Sequence, residues 1–166
     1  MLLADIKQKG LNLGQIVELV APNDTRHILG YYRDLQNSNL GYSVLYGGRI
    51  LGGEIRDIEA VPLSGLDRLL GPFDMSQALE MDVSELGIER ASRAIKKLAN
   101  QGQYIEVQKE ITGSVTVGYY LTLYENNGNN YIVIANTIDS GKPIKPSAIE
   151  LPKVRKLRLF ERKLVA

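Results

Sequence analysis

One motif recurs along this chain at a fixed distance. Gly14-Gln15-Ile16-Val17-Glu18, followed by Gly30-Tyr31-Tyr32 and Leu35, returns as Gly102-Gln103-Tyr104-Ile105-Glu106, Gly118-Tyr119-Tyr120 and Leu123, every position displaced by 88. Seven identities in an ungapped 22-residue window are hard to reconcile with chance. They constrain the chain to two copies of one small unit. Two copies are too few for a solenoid, in which each repeat leans on neighbours on both sides, so each unit must close on itself or on its twin. With a small length change in the next turn, Tyr42-Ser43-Val44-Leu45 aligns with Tyr131-Ile132-Val133-Ile134, and Ile58 to Pro62 with Ile149 to Pro152.

Composition decides which classes of protein remain. The 166 residues are 44% hydrophobic and 23% charged, with a net charge of +1, which describes a chain able to bury a core and carrying no global electrostatic bias. Any nucleic-acid surface must therefore be local. The absence of cysteine excludes disulfides, thiol catalysis and Cys-based metal sites. The apolar part of Met1-Leu2-Leu3-Ala4 is too short for a signal peptide, and no run reaches the roughly 18 apolar residues of a membrane helix. A cytoplasmic protein without a membrane span is the expectation.

Within each copy the signals are those of short strands. Gln15 to Val20 and Gln103 to Gln108 read as opening strands, and His27 to Leu35 and Ser114 to Tyr124 as second strands. In the latter, Val115, Val117, Tyr119, Leu121 and Leu123 share one parity, the mark of a strand with one buried face. Asn127-Gly128 supplies the positive-φ positions of a hairpin turn, matched by Asn37 to Gly41 in the first copy. Third strands follow at Tyr42 to Tyr46 and Tyr131 to Ala135. Glycine-bearing excursions come next, Gly47 to Gly53 and Asn136 to Pro146, and short strands near Ile55 to Val61 and Ser147 to Leu151 close the units. Four or five short strands in so few residues predict a small, strongly bent barrel.

Between the copies the period changes. Ser76 to Glu80 and Glu89 to Asn100 are rich in helix formers, with Ile88, Ala91, Ile95 and Leu98 on one face and Gly87 separating two short helices. This stretch supports two readings. In one it is an amphipathic linker across the barrels. In the other, residues 76–124 form a winged-helix-like segment in which Arg93, Lys96 and Lys97 enter the DNA major groove and the strands from Gln103 form the wing. The first reading is favoured because the same strand is copied at residue 14 without a comparable helix before it.

The order of signals in the first copy resembles that of PRC-barrel domains: Gly14, Val17, Ile28-Leu29-Gly30, Asp34, Val44-Leu45, Gly47-Gly48 and Ile58-Glu59-Ala60-Val61-Pro62-Leu63. The second copy keeps Gly102, Val117-Gly118, Ile132-Val133-Ile134, Gly141 and Ile149-Glu150-Leu151-Pro152, with Thr122 in place of Asp34. The resemblance implies a non-catalytic docking module that engages other macromolecules, including ribonucleoproteins. Sm-like barrels are a competing comparison through Gly30, Asp34, Asn39 and Ile55-Arg56, but the spacing differs and no Arg-Gly pair follows Ile55.

No catalytic constellation emerges. The single histidine, His27, provides neither a His-based metal cluster nor an obvious general base, and Gly47 to Gly53 lacks the Lys-Ser/Thr ending of a P-loop. Asp57 and Glu59 share a strand parity, with solvent exposure as their ordinary explanation. The expectation is a non-enzyme with no catalytic, metal or cofactor residues. Candidate binding residues lie elsewhere. From Lys142 onward eight cations, among them Lys153, Arg155, Lys156, Arg158, Arg162 and Lys163, stand against Glu150 and Glu161, a strip able to neutralise phosphates. In the tyrosine pairs, strand alternation sends Tyr31 and Tyr119 inward and Tyr32 and Tyr120 outward, where rings stack on bases or anchor a protein.

The sequence thus predicts a mainly β, β-rich α+β protein: two tandem SH3-like barrels from an internal duplication, spanning residues 1–72 and 102–166, joined by a helical segment at 73–101. The expected role is that of a binding or adaptor protein acting on a protein or ribonucleoprotein partner. Nucleic-acid binding is the alternative, to RNA or single strands through the barrel and basic strip or to duplex DNA through 76–124. Homo-oligomerisation stays open.

Overall fold

The computed structural model describes residues 1–160. Helix α1 (Leu3–Gln8) precedes β1 (Ile16–Val20), β2 (Arg26–Ser38), β3 (Gly41–Gly47), β4 (Arg49–Leu51), β5 (Glu54–Arg56), β6 (Glu59–Pro62) and β7 (Arg68–Leu70). There follow β8 (Leu79–Asp82), α2 (Val83–Leu86), α3 (Ile88–Leu98), β9 (Tyr104–Lys109), β10 (Val115–Asn126), β11 (Asn129–Ala135), β12 (Thr137–Asp139), β13 (Lys142–Ile144), β14 (Ser147–Glu150) and β15 (Val154–Phe160). These make a β-rich α+β fold with two sheets, one a partly curled half-barrel and the other open.

Strand register repeats at the spacing of the sequence motif. Ile16 pairs with Tyr31 and Val17 with Gly30 between β1 and β2, as Tyr104 pairs with Tyr119 and Ile105 with Gly118 between β9 and β10. A register shift falls between Tyr32 and Asp34 in β2 and between Tyr120 and Thr122 in β10. Both hairpins then close over two residues, Ser38 opposite Gly41 and Asn126 opposite Asn129. No length change intervenes, which corrects the alignment of Tyr42 with Tyr131. Val44 corresponds to Ile132 and Tyr46 to Ile134, all four buried, and Val61 to Ile149 through the closing strands. The one-residue slip of the sequence alignment would have sent every such side chain to the opposite face. In the second hairpin Asn127 and Gly128 have φ of 52° and 77°, the two positive angles of the expected tight turn.

Each half gives a hairpin to the other. Gly47-Gly48 carries the chain out of the first sheet so that β4, paired with β5, joins β10 of the second, Ile50 opposite Val115 and Arg49 opposite Thr116. In return β12, paired with β13, joins β2, Ile138 opposite His27 and Thr137 opposite Ile28. The crossing is close. Leu29 N–H donates to Asn136 O at 2.8 Å and Val117 N–H to Gly48 O at 3.1 Å, the same bond in both directions. At the base of the β4-β5 hairpin itself, a Cβ on Gly47 would lie 2.2 Å from Arg56 O of β5, so the chain's return past Gly47 demands glycine.

Three layers of core result. Val17, Leu19, Tyr32, Val44 and Tyr46 fill the first half beneath Ile6 of α1; Ile105, Val107, Tyr120, Ile132 and Leu157 fill the second beneath Ala91 and Ile95 of α3. Between them lies a shared layer of Ile16, Leu29, Tyr31, Tyr104, Val117, Tyr119 and Phe160. Strands β1 and β9 are therefore covered on both faces, and all five residues of β1 are buried.

The helical expectations divide. Gly87 (φ 83°) separates α2 from α3 as predicted, and Asp82 caps α2 by accepting from Glu85 N–H at 3.0 Å. Residues 76–80 are not a helix: a 3-10 turn at Met75–Gln77 leads into β8, which pairs along β15 with Met81 opposite Leu157. Strand pairing and burial of Met81 outweigh the helix propensity of that stretch. Ahead of residue 14, where no helix was expected, stands α1, six residues with Ile6 buried.

Candidate binding site

At the shared layer the repeat places two carboxyl groups in apolar surroundings. Glu18 in β1 and Glu106 in β9 occupy equivalent positions and are 2% and 8% exposed. Each is met by a tyrosine of the opposite half: the Tyr119 hydroxyl donates to Glu18 Oε2 at 2.6 Å, and the Tyr31 hydroxyl to Glu106 Oε2 at 2.7 Å. Buried carboxyl groups demand such donors, because the water they give up must be replaced.

The two sites differ at the second oxygen. Glu18 Oε1 accepts from the Tyr104 hydroxyl at 2.8 Å. The position equivalent to Tyr104 is Ile16, which has nothing to donate. Glu106 Oε1 instead has the Arg158 guanidinium Nη1 at 3.7 Å, beyond hydrogen-bond length. Burial pushes the Glu106 carboxyl above the ordinary 4.5, opposed by the Tyr31 hydrogen bond and by Arg158. The Tyr31 hydroxyl is pushed up as well, by burial and then by the neighbouring Glu106 charge.

Glu106 opens into a cleft of about 300 Å³ at the rim of the shared layer, where Arg158, Lys156 and Gln108 converge above Ile50 and Val115. Cross-strand pairing creates this grouping, since Arg158 sits between Glu106 and Glu80, and Lys156 between Gln108 and Asp82. Glu80 holds both cations, Arg158 Nε at 3.1 Å and Lys156 Nζ at 3.5 Å. A second cleft of about 330 Å³ lies at the hairpin crossing, where Arg49, Lys109 and Lys145 face Asp57 and Glu59. Asp57 and Glu59 are exposed as expected, yet each has a partner: Asp57 lies 3.4 Å from Arg49 Nε, and Glu59 accepts from the Tyr46 hydroxyl at 2.8 Å.

The residues singled out in the sequence are dispersed. Lys156 and Arg158 line the first cleft. Lys153 is exposed and lies 3.2 Å from Glu150; Arg155 is exposed at the register shift of β15. Arg93, Lys96 and Lys97 are exposed on α3, Arg93 within 3.7 Å of Glu89, away from the Glu106 cleft lining. Arg162 and Lys163 lie outside the described residues. The tyrosine expectation requires correction: Tyr32 and Tyr120 do point opposite to Tyr31 and Tyr119, but they are 7% and 6% exposed, each inside the core of its own half. Both strand faces are covered, so neither ring is presented for stacking.

Glu18 and Glu106 were visible in the repeated motif without a role assigned. The available signal was an acidic residue standing at the same place in both copies between apolar strand neighbours, which a solvated face does not require. His27 Nδ1, buried and without a hydrogen bond, lies 3.7 Å from Glu18 Oε2. Among the described residues no group of three or more His, Cys, Asp or Glu is arranged to hold a metal ion, and no helix is long and apolar enough to cross a membrane.

Compared with known proteins, the chain matches no family model, and no curated protein matches it significantly.

Proposed function

We propose that this chain is a non-catalytic adaptor of the cytoplasm, two SH3-like barrels of PRC type derived by duplication and fused through exchanged hairpins, which docks a protein partner on the face around Glu106, Lys156 and Arg158. The recurrence of register at a spacing of 88 supports the duplication. The observation that carries the choice of partner is the charge pairing of the basic strip. Of Lys153, Arg155, Lys156 and Arg158 in that strip, three have carboxylate neighbours within the chain: Lys153 with Glu150, Lys156 with Glu80, and Arg158 with Glu80 and Glu106. Phosphate binding draws on uncompensated cations through counterion release. A surface of alternating sign suits the polar rim of a protein interface, where complementary charges set register and partner choice.

A photo-crosslinker placed at Arg155, on the exposed side of the same strand, tests this reading. A discrete crosslinked protein that is lost when Glu80 and Glu106 are both changed to Lys supports it. Retention of labelled RNA or DNA at about 150 mM salt, with a steep salt dependence, replaces it by nucleic-acid binding.

One observation favours the second reading for duplex DNA in particular. Lys96 and Lys97 are exposed on the last turns of α3 with no acidic partner among the described residues. Loss of duplex binding in a Lys96→Glu/Lys97→Glu variant, with Lys153→Glu/Arg155→Glu unaffected, assigns DNA binding to α3.

A further inference from the structure

We infer that the Glu106 cleft is a recognition pocket for a carboxamide, the side chain of an Asn or Gln presented by the docked partner. The inference rests on the docking reading and specifies the group that is docked. Glu106 and Glu18 are equivalent by position, by burial and by their tyrosine donors, yet only Glu18 has both oxygens supplied. Ile16 stands where a second tyrosine would serve Glu106, and Glu106 lines the cleft with its Oε1 3.7 Å from Arg158 Nη1. Glu106 Oε1 lacks the second hydroxyl donor that Glu18 has, so it offers a charge-assisted acceptor to an N–H entering the cleft.

The chemistry of the neighbours narrows the ligand. Glu106 Oε1 is an acceptor and the Arg158 guanidinium beside it a donor, so the pocket presents the two as an adjacent pair. A carboxamide carries the complementary pair, its NH₂ toward Oε1 and its carbonyl oxygen toward Arg158 or the Gln108 amide. An ammonium ion would have to enter beside Lys156 and Arg158, and a carboxylate would meet Glu106 and Glu80; both meet like charge. Ile50 and Val115 form the apolar wall against which the short aliphatic stem of Asn or Gln packs. A volume of about 300 Å³ is ample for one such side chain.

The test needs no partner. N-acetylglutamine methylamide is titrated into the isotopically labelled protein while the Ile50 and Val115 methyl resonances are followed, with N-acetylmethionine methylamide and uridine in parallel. Saturable shifts with the glutamine probe alone, weakened about tenfold or more in Glu106→Gln, are the expected result. That variant keeps the shape and an acceptor for Tyr31 while turning an N–H toward the ligand. Ile16→Tyr, which supplies the missing donor, is expected to close the site; should it fail to fold by circular dichroism, Glu106→Gln decides. Equal shifts from the methionine probe, indifference to Glu106→Gln, or saturation by uridine alone overturns the proposal. Probe binding together with failure of the Arg155 crosslink upholds the carboxamide specificity and removes the docked partner. A crosslink that survives without any probe binding leaves docking intact and overturns the pocket.

Discussion

The Tyr31 hydroxyl reaches 75 positions along the chain to donate to Glu106 at 2.7 Å, and Tyr119 returns the same bond to Glu18. Hydrogen bonds to buried carboxyl groups are among the stronger ones, and removing one donor leaves its partner desolvated. Tyr31→Phe and Tyr119→Phe are each expected to lower the unfolding free energy by about 1–3 kcal/mol in urea titrations. Only Tyr31→Phe is expected to raise the Glu106 pKa further, because the Tyr31 bond is the foremost influence holding it down. Carboxyl carbon NMR titration reads that shift directly.

The raised Glu106 pKa also sets a pH dependence. As pH rises from the ordinary 4.5, the unfolded chain gives up this proton while the folded protein keeps it, so this group's contribution to stability falls until the folded pKa is passed and then levels off. Glu106→Gln has no proton to lose there. The stability of wild type minus that of Glu106→Gln, measured by urea unfolding from about pH 4 to about pH 8, should decline with pH. A difference that is flat or rises contradicts the assignment.

Gly47 and Ala135 are equivalent residues with unequal room. In the second half a Cβ is accommodated, whereas a Cβ on Gly47 would fall 2.2 Å from Arg56 O and 2.4 Å from Ile55 Cγ2. Gly47→Ala is expected to cost about 1–3 kcal/mol or more through forced displacement of β5, and Ala135→Gly less. Thermal unfolding of the two variants gives the comparison.

Helix α3 separates a structural face from a solvated one. Ile95 is fully buried, so Ile95→Ala should destabilise by about 2–5 kcal/mol. Lys96→Glu and Lys97→Glu, on exposed positions, should stay within about 0.5 kcal/mol of wild type. Chemical denaturation of these variants establishes that any binding defect of the lysine changes is a surface effect.

Much of the local architecture was legible in the residues themselves. The positive-φ demand of Asn127-Gly128, the break at Gly87, the shared face of Val115, Val117 and Tyr119 and the helical face of Ala91 and Ile95 are consequences of backbone sterics and period, which act over a few residues. Past the register shift after Tyr120, Leu123 instead packs with the core of the second half. The repeat, too, is a property of sequence alone. Where these local signals compete with distant partners they mislead: Ser76 to Glu80 carries helix formers yet feeds a strand, because β15 offers ladder bonds and an apolar slot for Met81.

Contacts across long separations were decided only by the tertiary structure. Parity placed Tyr32 on the opposite side from Tyr31 but could not say that the opposite side is also core. The exchange of β4-β5 for β12-β13, the meeting of Tyr31 with Glu106, and the vacancy left at Glu106 by Ile16 all depend on how the two halves face each other. The sequence by itself determined that one motif recurs at a spacing of 88 and how its strands turn. Folding the two halves against each other determined which of the recurring residues became a matched pair and which was left one donor short.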